Sequence, residues 1–205
     1  FLDGQKFEIT TTVGDSILSW NFDVRKEDGT SVFALSQVDS PNLPANITWN
    51  GVDKDGNVCE GTFTGTLNIV YKNGNAVNAV SSPFLCTAIP PVLKVQTYPE
   101  FFSPDNDGVD DDLYIKLTGN TKASIKNWSF TIKDPKGKDF WKVAGKSKIT
   151  EKIIWDGLSN IQKDANGNAE RVQSAMDYPF IFTVNDSLGM SSTFEGVIPV
   201  DVLVI

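Results

Sequence analysis

Five aspartates, Asp105, Asp107, Asp110, Asp111 and Asp112, crowd around Gly108 in this 205-residue chain. Hard carboxylate oxygens at alternate positions around a glycine turn suit Ca²⁺, which takes about six to eight oxygen ligands. Asp105, Asp107, Asp110 and Asp111 are the candidate ligands, since carboxylates this close repel one another and a cation relieves that. The spacing is not that of an EF-hand: the D-x-D-G core is present, but no Glu closes the loop at the twelfth position. The alternative is a solvated hairpin whose aspartates bond their own backbone in Asx-turns. Asp53/Asp55/Asn57 and Asp164/Asn166/Asn168 repeat the pattern more weakly around Gly56 and Gly167.

Catalytic chemistry has little to draw on. The chain contains no His, the commonest general base and the partner in serine and cysteine triads. It has no phosphate-binding G-x-x-x-x-G-K-[ST], no G-x-S-x-G and no G-x-G-x-x-G. The two cysteines, Cys59 and Cys86, are too few for a Cys₄ metal site. Paired in an oxidising compartment they would close a loop of about 28 residues, worth roughly 3–4 kcal/mol. Left as thiols, they would serve as small apolar residues.

Seven lysines fall within twenty residues: Lys133, Lys136, Lys138, Lys142, Lys146, Lys148 and Lys152. They form either a solvated hairpin face or a patch that docks onto an anionic surface such as peptidoglycan, lipid headgroups or an acidic partner. The net charge of −8 divides equally: residues 1–98 carry 6 basic and 10 acidic groups, residues 99–205 carry 12 and 16. An acidic chain repels a phosphate backbone, so nucleic acid is not an expected partner. No apolar run approaches the roughly 18 residues of a membrane span. The chain opens on Phe1 without a Met and closes on the apolar segment Val200–Ile205, so both ends look cut from a longer protein.

The elements that would position these residues are β-strands. Large apolar groups alternate at Phe7/Ile9/Thr11/Val13, Trp20/Phe22/Val24, Leu67/Ile69/Tyr71, Leu113/Ile115/Leu117, Trp128/Phe130/Ile132, Phe180/Phe182/Val184 and Val200/Val202/Val204. This is the period of antiparallel strands with one face in a core. Turn signals punctuate them: Glu27-Asp28-Gly29, Asp55-Gly56-Asn57, Lys72-Asn73-Gly74, Pro135-Lys136-Gly137, Asn166-Gly167-Asn168 and Ser187-Leu188-Gly189. Only Glu170–Met176 suggests a turn or two of helix.

The chain also repeats itself. Trp20-Asn-Phe22-Asp-Val24 returns as Trp128-Ser-Phe130-Thr-Ile132, and Trp49-Asn50-Gly51 as Trp155-Asp156-Gly157. Ile89-Pro90 before Val92-Leu93 returns as Ile198-Pro199 before Val202-Leu203. The offsets are 108, 106 and 109 residues. A period near one hundred is a whole domain, longer than the units of solenoids. The expectation is an all-β chain of two tandem Ig-like/fibronectin-III-like antiparallel β-sandwiches, residues 1–98 and 99–205, with a short, stiff join. Trp20, Trp49, Trp128 and Trp155 would fill the cores, and Gly51 and Gly157 would free the backbone for the turns that follow.

Phe102-Ser103-Pro104-Asp105-Asn106-Asp107-Gly108-Val109-Asp110-Asp111 resembles the F-S-P-N-x-D-G-x-N-D signature that opens the gliding-motility-associated C-terminal domains of bacterial secreted proteins. The later order of motifs is similar to that group and to the Ig-like domain of the flagellar hook-cap protein: Trp128–Gly137, Trp155-Asp156-Gly157, Asp164–Asn168, Tyr178–Val184 and Asp186–Gly189. The tandem arrangement also resembles the region preceding OmpA-like peptidoglycan-binding domains in spirochaete envelope proteins. The first repeat carries Trp49-Asn50-Gly51 and Asp53-Lys54-Asp55-Gly56 but no F-S-P segment. The resemblance implies a non-enzymatic spacer and interaction module of the cell envelope or a secreted protein, with an envelope protein or peptidoglycan as partner. A second reading is an adhesin or carbohydrate-binding module with a calcium-ordered hairpin and an exposed aromatic such as Trp141.

Overall fold

The computed structural model describes residues 4–11, 16–39, 42–173 and 175–201. Among these every regular element is a strand, and the chain divides into two compact units, Phe1–Ala88 and Ile89–Ile205. The expected Val13, Val202, Leu203 and Val204 strand positions lie outside the described residues.

In the first unit the strands are β1 (Gln5–Glu8), β2 (Ile17–Lys26), β3 (Ser31–Val38), β4 (Asn46–Trp49), β5 (Gly61–Tyr71), β6 (Ala76–Val80) and β7 (Phe84–Cys86). β1 pairs with β4; the larger antiparallel sheet runs β3-β2-β5-β6, with β7 also on β5. The alternation of β2 turns Trp20, Phe22 and Val24 into a core with Ile47, Trp49, Phe63, Ile69 and Tyr71.

The second unit contains β8 (Val92–Tyr98), β9 (Leu113–Asn120), β10 (Ile125–Lys133), β11 (Asp139–Lys146), β12 (Lys152–Trp155), β13 (Leu158–Lys163), β14 (Ala169–Arg171), β15 (Met176–Asp186) and β16 (Ser191–Val200). A four-stranded sheet, β11-β10-β15-β16, and a three-stranded sheet, β12-β9-β8, bury a common core between them, and β13-β14 form a separate hairpin. Leu113, Ile115 and Leu117 face this core from β9; Trp128, Phe130 and Ile132 face it from β10.

Three expectations change. β8 bonds to β9 along its whole length, from Val92↔Asn120 to Tyr98↔Tyr114, so the division falls between residues 88 and 89 rather than 98 and 99. Glu170–Met176 is not helical: Glu170 lies in β14 and Met176 opens β15, although Ser174 is outside the described residues. The Ile-Pro correspondence is one of sequence only. Trp20 pairs with Ile69 and Gly61 with Cys86; in the second unit Trp128 pairs with Val184 and Met176 with Val200. Cys86 is therefore the positional counterpart of Val200. The strand continuous as β16 is split into β6 and β7 by Ser81-Ser82-Pro83, a proline having no amide to give to the ladder.

Candidate functional site

The repeated W-x-G motif is a structural device used twice. Trp49 and Trp155 are fully buried at the ends of β4 and β12. Each indole Nε1 donates to the carbonyl three residues on, Val52 at 2.7 Å and Leu158 at 2.9 Å. Gly51 and Gly157 follow with φ of 82° and 76°, where a side chain would be strained. Their carbonyls then accept the amides of Cys59 (2.8 Å) and Val172 (3.0 Å). Trp20 and Trp128 are buried on β2 and β10. Trp141, expected as an exposed aromatic, is only half-exposed and packs against Phe130 and Trp155, at 6.5 and 6.3 Å between ring centres. A bulge in the β10–β11 pairing at Ile132/Lys133 sets it opposite Ile132 on the core side.

A second device occurs four times. Asp53, Asp134, Asp164 and Asp186 each open a turn that ends in a left-handed glycine three residues later. In each, one carboxylate oxygen accepts the amides two and four residues ahead, all at 2.8–2.9 Å. The Asn57 amide foremost holds the Asp53 carboxyl below the usual carboxylate range. At Asp134 burial works upward, but bonds from Lys138, Gln162 and Lys136 outweigh it and the net shift is down. Asp53 and Asp164 therefore cap their own turns.

Residues 103–112 form an irregular loop rather than the expected hairpin, because Phe102 is drawn into the core. Phe102 makes a parallel bridge to Val200 and packs on Trp155 at 5.3 Å, while Arg171 Nη1 donates to the Pro104 carbonyl at 2.7 Å. Within the loop Asp111 receives the Asn106 and Gly108 amides, Asp105 that of Asp107, and Asp107 that of Val109. Oxygens of Asp105, Asp107 and Asp111 lie within 4.8 Å of one another, so these three could hold a cation. Asp110 is not in that group: it stands at φ 54° and its carbonyl accepts the Ser103 amide.

Cys59 and Cys86 are both buried and both thiols in this structure. Cys86 Sγ lies 3.9 Å from the Gly51 carbonyl, the oxygen that also accepts the Cys59 amide. Burial, then the neighbouring Cys59 and Glu60, pushes the Cys86 thiol up to about 11, and burial raises Cys59 as well. Their counterparts in the second unit are Val172 and Val200, so both slots take a small apolar side chain.

The lysines spread along the β10–β11 hairpin and beyond it. Lys133 is engaged in an ion pair with Asp139 at 2.8 Å. Lys136 and Lys138 occupy the turn, Lys142 and Lys146 are exposed on β11, and Lys148 follows it, its carbonyl accepting Trp128 Nε1 at 2.7 Å. Lys152 belongs to the other sheet, on β12.

Besides Lys152, that other sheet carries exposed residues that sequence reasoning missed. Across its outward face Tyr98, Tyr114 and Ile154 form one cross-strand row, and Gln96, Lys116 and Lys152 form the next. Tyr98 is 70% exposed, Ile154 54% and Tyr114 38%. Lys152 Nζ stands 5.1 Å above the Tyr114 ring. An open depression of about 580 Å³ is lined by Tyr98, Tyr114, Gln96, Lys116 and Lys152, and by Glu151 as well. The available signal was the alternation of β9 itself: with Leu113, Ile115 and Leu117 inward, Tyr114 and Lys116 had to face out.

No family model matches this sequence, and no curated protein does. Among solved structures, the chain is similar to the fibronectin(III)-like modules of Clostridium thermocellum CbhA, at 15% identity and a TM-score of 0.38, covering 98% of this chain and 87% of that one. It is also similar to part of dimeric latent PorU from Porphyromonas gingivalis, at 18% identity and TM-score 0.40 over 94% of this chain and 17% of that one. A 1.5-MDa bacterial ice-binding adhesin gives 12% identity and TM-score 0.41, covering 93% and 55%.

Proposed function

We propose that this chain is a non-enzymatic module of a bacterial cell-envelope or secreted protein, acting as a stiff spacer that also presents a binding surface to another envelope component. One observation carries the reading: the residues the sequence repeats are consumed by the fold. The tryptophans of the W-x-G motif are buried and bonded to their own turns, and the recurrent aspartates cap theirs. The join supports a stiff spacer, since only residues 87–91 separate β7 from β8 and two of them are the consecutive prolines Pro90 and Pro91. Small-angle scattering of the chain tests it. The expected result is a single well-defined maximum dimension, which broadens once Pro90 and Pro91 are replaced by glycine and serine. A broad distribution of dimensions in the unmodified chain would reject the stiff spacer.

The second reading, an adhesin or carbohydrate-binding module with a calcium-ordered loop, is favoured by the approach of Asp105, Asp107 and Asp111. Their oxygens already accept backbone amides yet retain free lone pairs, so they fit a hard cation. On that reading, calorimetric titration with Ca²⁺ gives micromolar binding that Asp107→Ala abolishes and Asp53→Ala leaves intact, and EGTA lowers the melting point. No heat and no thermal shift would leave the loop an ordinary chain of Asx-turns.

A further inference from the structure

The outward face of β12-β9-β8 has an arrangement that the fold does not require. Tyr98, Tyr114 and Ile154 stand side by side at the interstrand spacing of about 4.8 Å. One pair of residues further along, roughly 7 Å away, Lys116 and Lys152 are direct cross-strand partners. Like charges directly opposite one another destabilise a sheet. Among the described residues neither ammonium is in an ion pair. Two exposed phenol rings beside two cations that make no ion pair, with Gln96 completing the lysine row and Glu151 also lining the depression, are a mixed surface: flat apolar faces in one row, mostly positive charge in the next.

We propose that this face binds a linear anionic polysaccharide, a polymer whose sugar rings bear carboxylates. The proposal rests on the reading of the chain as a binding module and supplies the ligand class. Sugar rings present C–H faces that stack on Tyr98 and Tyr114, while ring carboxylates one row along meet Lys116 and Lys152, and the phenols and Gln96 answer hydroxyl groups. An acidic peptide fits less well. Protein and peptide hot spots concentrate on side-chain anchors seated in well-packed pockets, whereas this depression is open and presents two flat rings on a sheet face. Charge complementarity sets the sign of the ligand, and the tyrosine pair sets its flat, partly apolar character.

Calorimetric titration of the full 205-residue chain with oligogalacturonate tests this, with cello-oligosaccharide and poly-glutamate of similar length as comparisons. The expected result is binding of oligogalacturonate that weakens with salt and falls about tenfold or more in Tyr114→Ala and in Lys116→Gln, and that Lys142→Gln leaves unchanged. Tyr98→Ala, at the most exposed position, repeats the loss without risk to the core. Absence of binding, equal binding of the neutral oligomer, stronger binding of poly-glutamate, or insensitivity to the tyrosine and lysine changes would each overturn the proposal. Recovering the oligosaccharide after incubation separates the two claims: cleavage would refute the non-enzymatic reading itself, whereas intact but unbound oligosaccharide refutes only this ligand.

Discussion

Trp155→Ala is expected to cost the second unit about 4 kcal/mol, the range for truncating a fully buried aromatic. Its ring sits among Phe102, Phe140, Trp141 and Tyr178, with ring centres 5.3–6.5 Å away, so the cavity opens on groups that several separate segments hold in place. The change also removes the Nε1 donor from the Leu158 carbonyl, which closes the turn after β12. For a unit of this size the loss corresponds to a fall in melting temperature of about 15 °C. Differential scanning calorimetry reads that shift. Because the two units have separate cores, exchange protection of β2 and β5 amides is expected to be retained while that of β10 and β15 collapses. A shift of about 2 °C or less would mean that the W-x-G tryptophan is not a core keystone.

Gly157→Val is expected to be nearly as damaging for a different reason. The backbone at Gly157 has φ 76°, where a β-branched residue costs about 1–3 kcal/mol. A Cβ there would also lie 2.8 Å from Pro104 Cγ and 3.2 Å from Val172 Cγ2. Overpacking adds about 1–3 kcal/mol, for a total of roughly 3–4 kcal/mol. Gly137→Ala separates the two contributions. Its φ is 82°, but a Cβ at that position would meet nothing within 4 Å, so it should lose only the backbone cost, about 1 kcal/mol. Equal losses at the two glycines in urea unfolding would show that the contact with Pro104 does not matter. The same contact explains the F-S-P segment: Phe102 fills the space beside Trp155, and Pro104 lies over the one residue of the W-D-G turn that has no side chain.

The strand interiors were legible because alternation is a local property. Trp20-Phe22-Val24 and Trp128-Phe130-Ile132 each declare a buried face without reference to any partner strand, and the aspartate-to-glycine turns declare their own ends. What failed depended on pairing across sequence. β8 belongs to the second unit only because it bonds to β9, across the loop that contains Phe102, and nothing in Val92–Tyr98 itself says so. The Ile-Pro match misaligned the units because Pro83 interrupts one copy of a strand that runs on as β16 in the other. The aspartate cluster was visible as composition, but which carboxylates converge follows from the left-handed residues Asn106, Gly108 and Asp110, and these leave Asp110 outside the group. The Tyr98–Tyr114–Ile154 row was hidden for the same reason as the boundary: it draws one residue from each of three strands, and only the register makes them neighbours.

The replacement of Val172 and Val200 by Cys59 and Cys86 gives two units of one design a chemical difference. Both thiols of the chain lie in the first unit, at the Gly51 carbonyl hub where the Trp49 turn meets β7: Cys86 approaches it through Sγ and Cys59 bonds it through its backbone amide. Thiol-specific labelling in the native state therefore timestamps openings of that hub and is blind to the second unit, so the chain carries its own internal stopwatch for one half of its breathing.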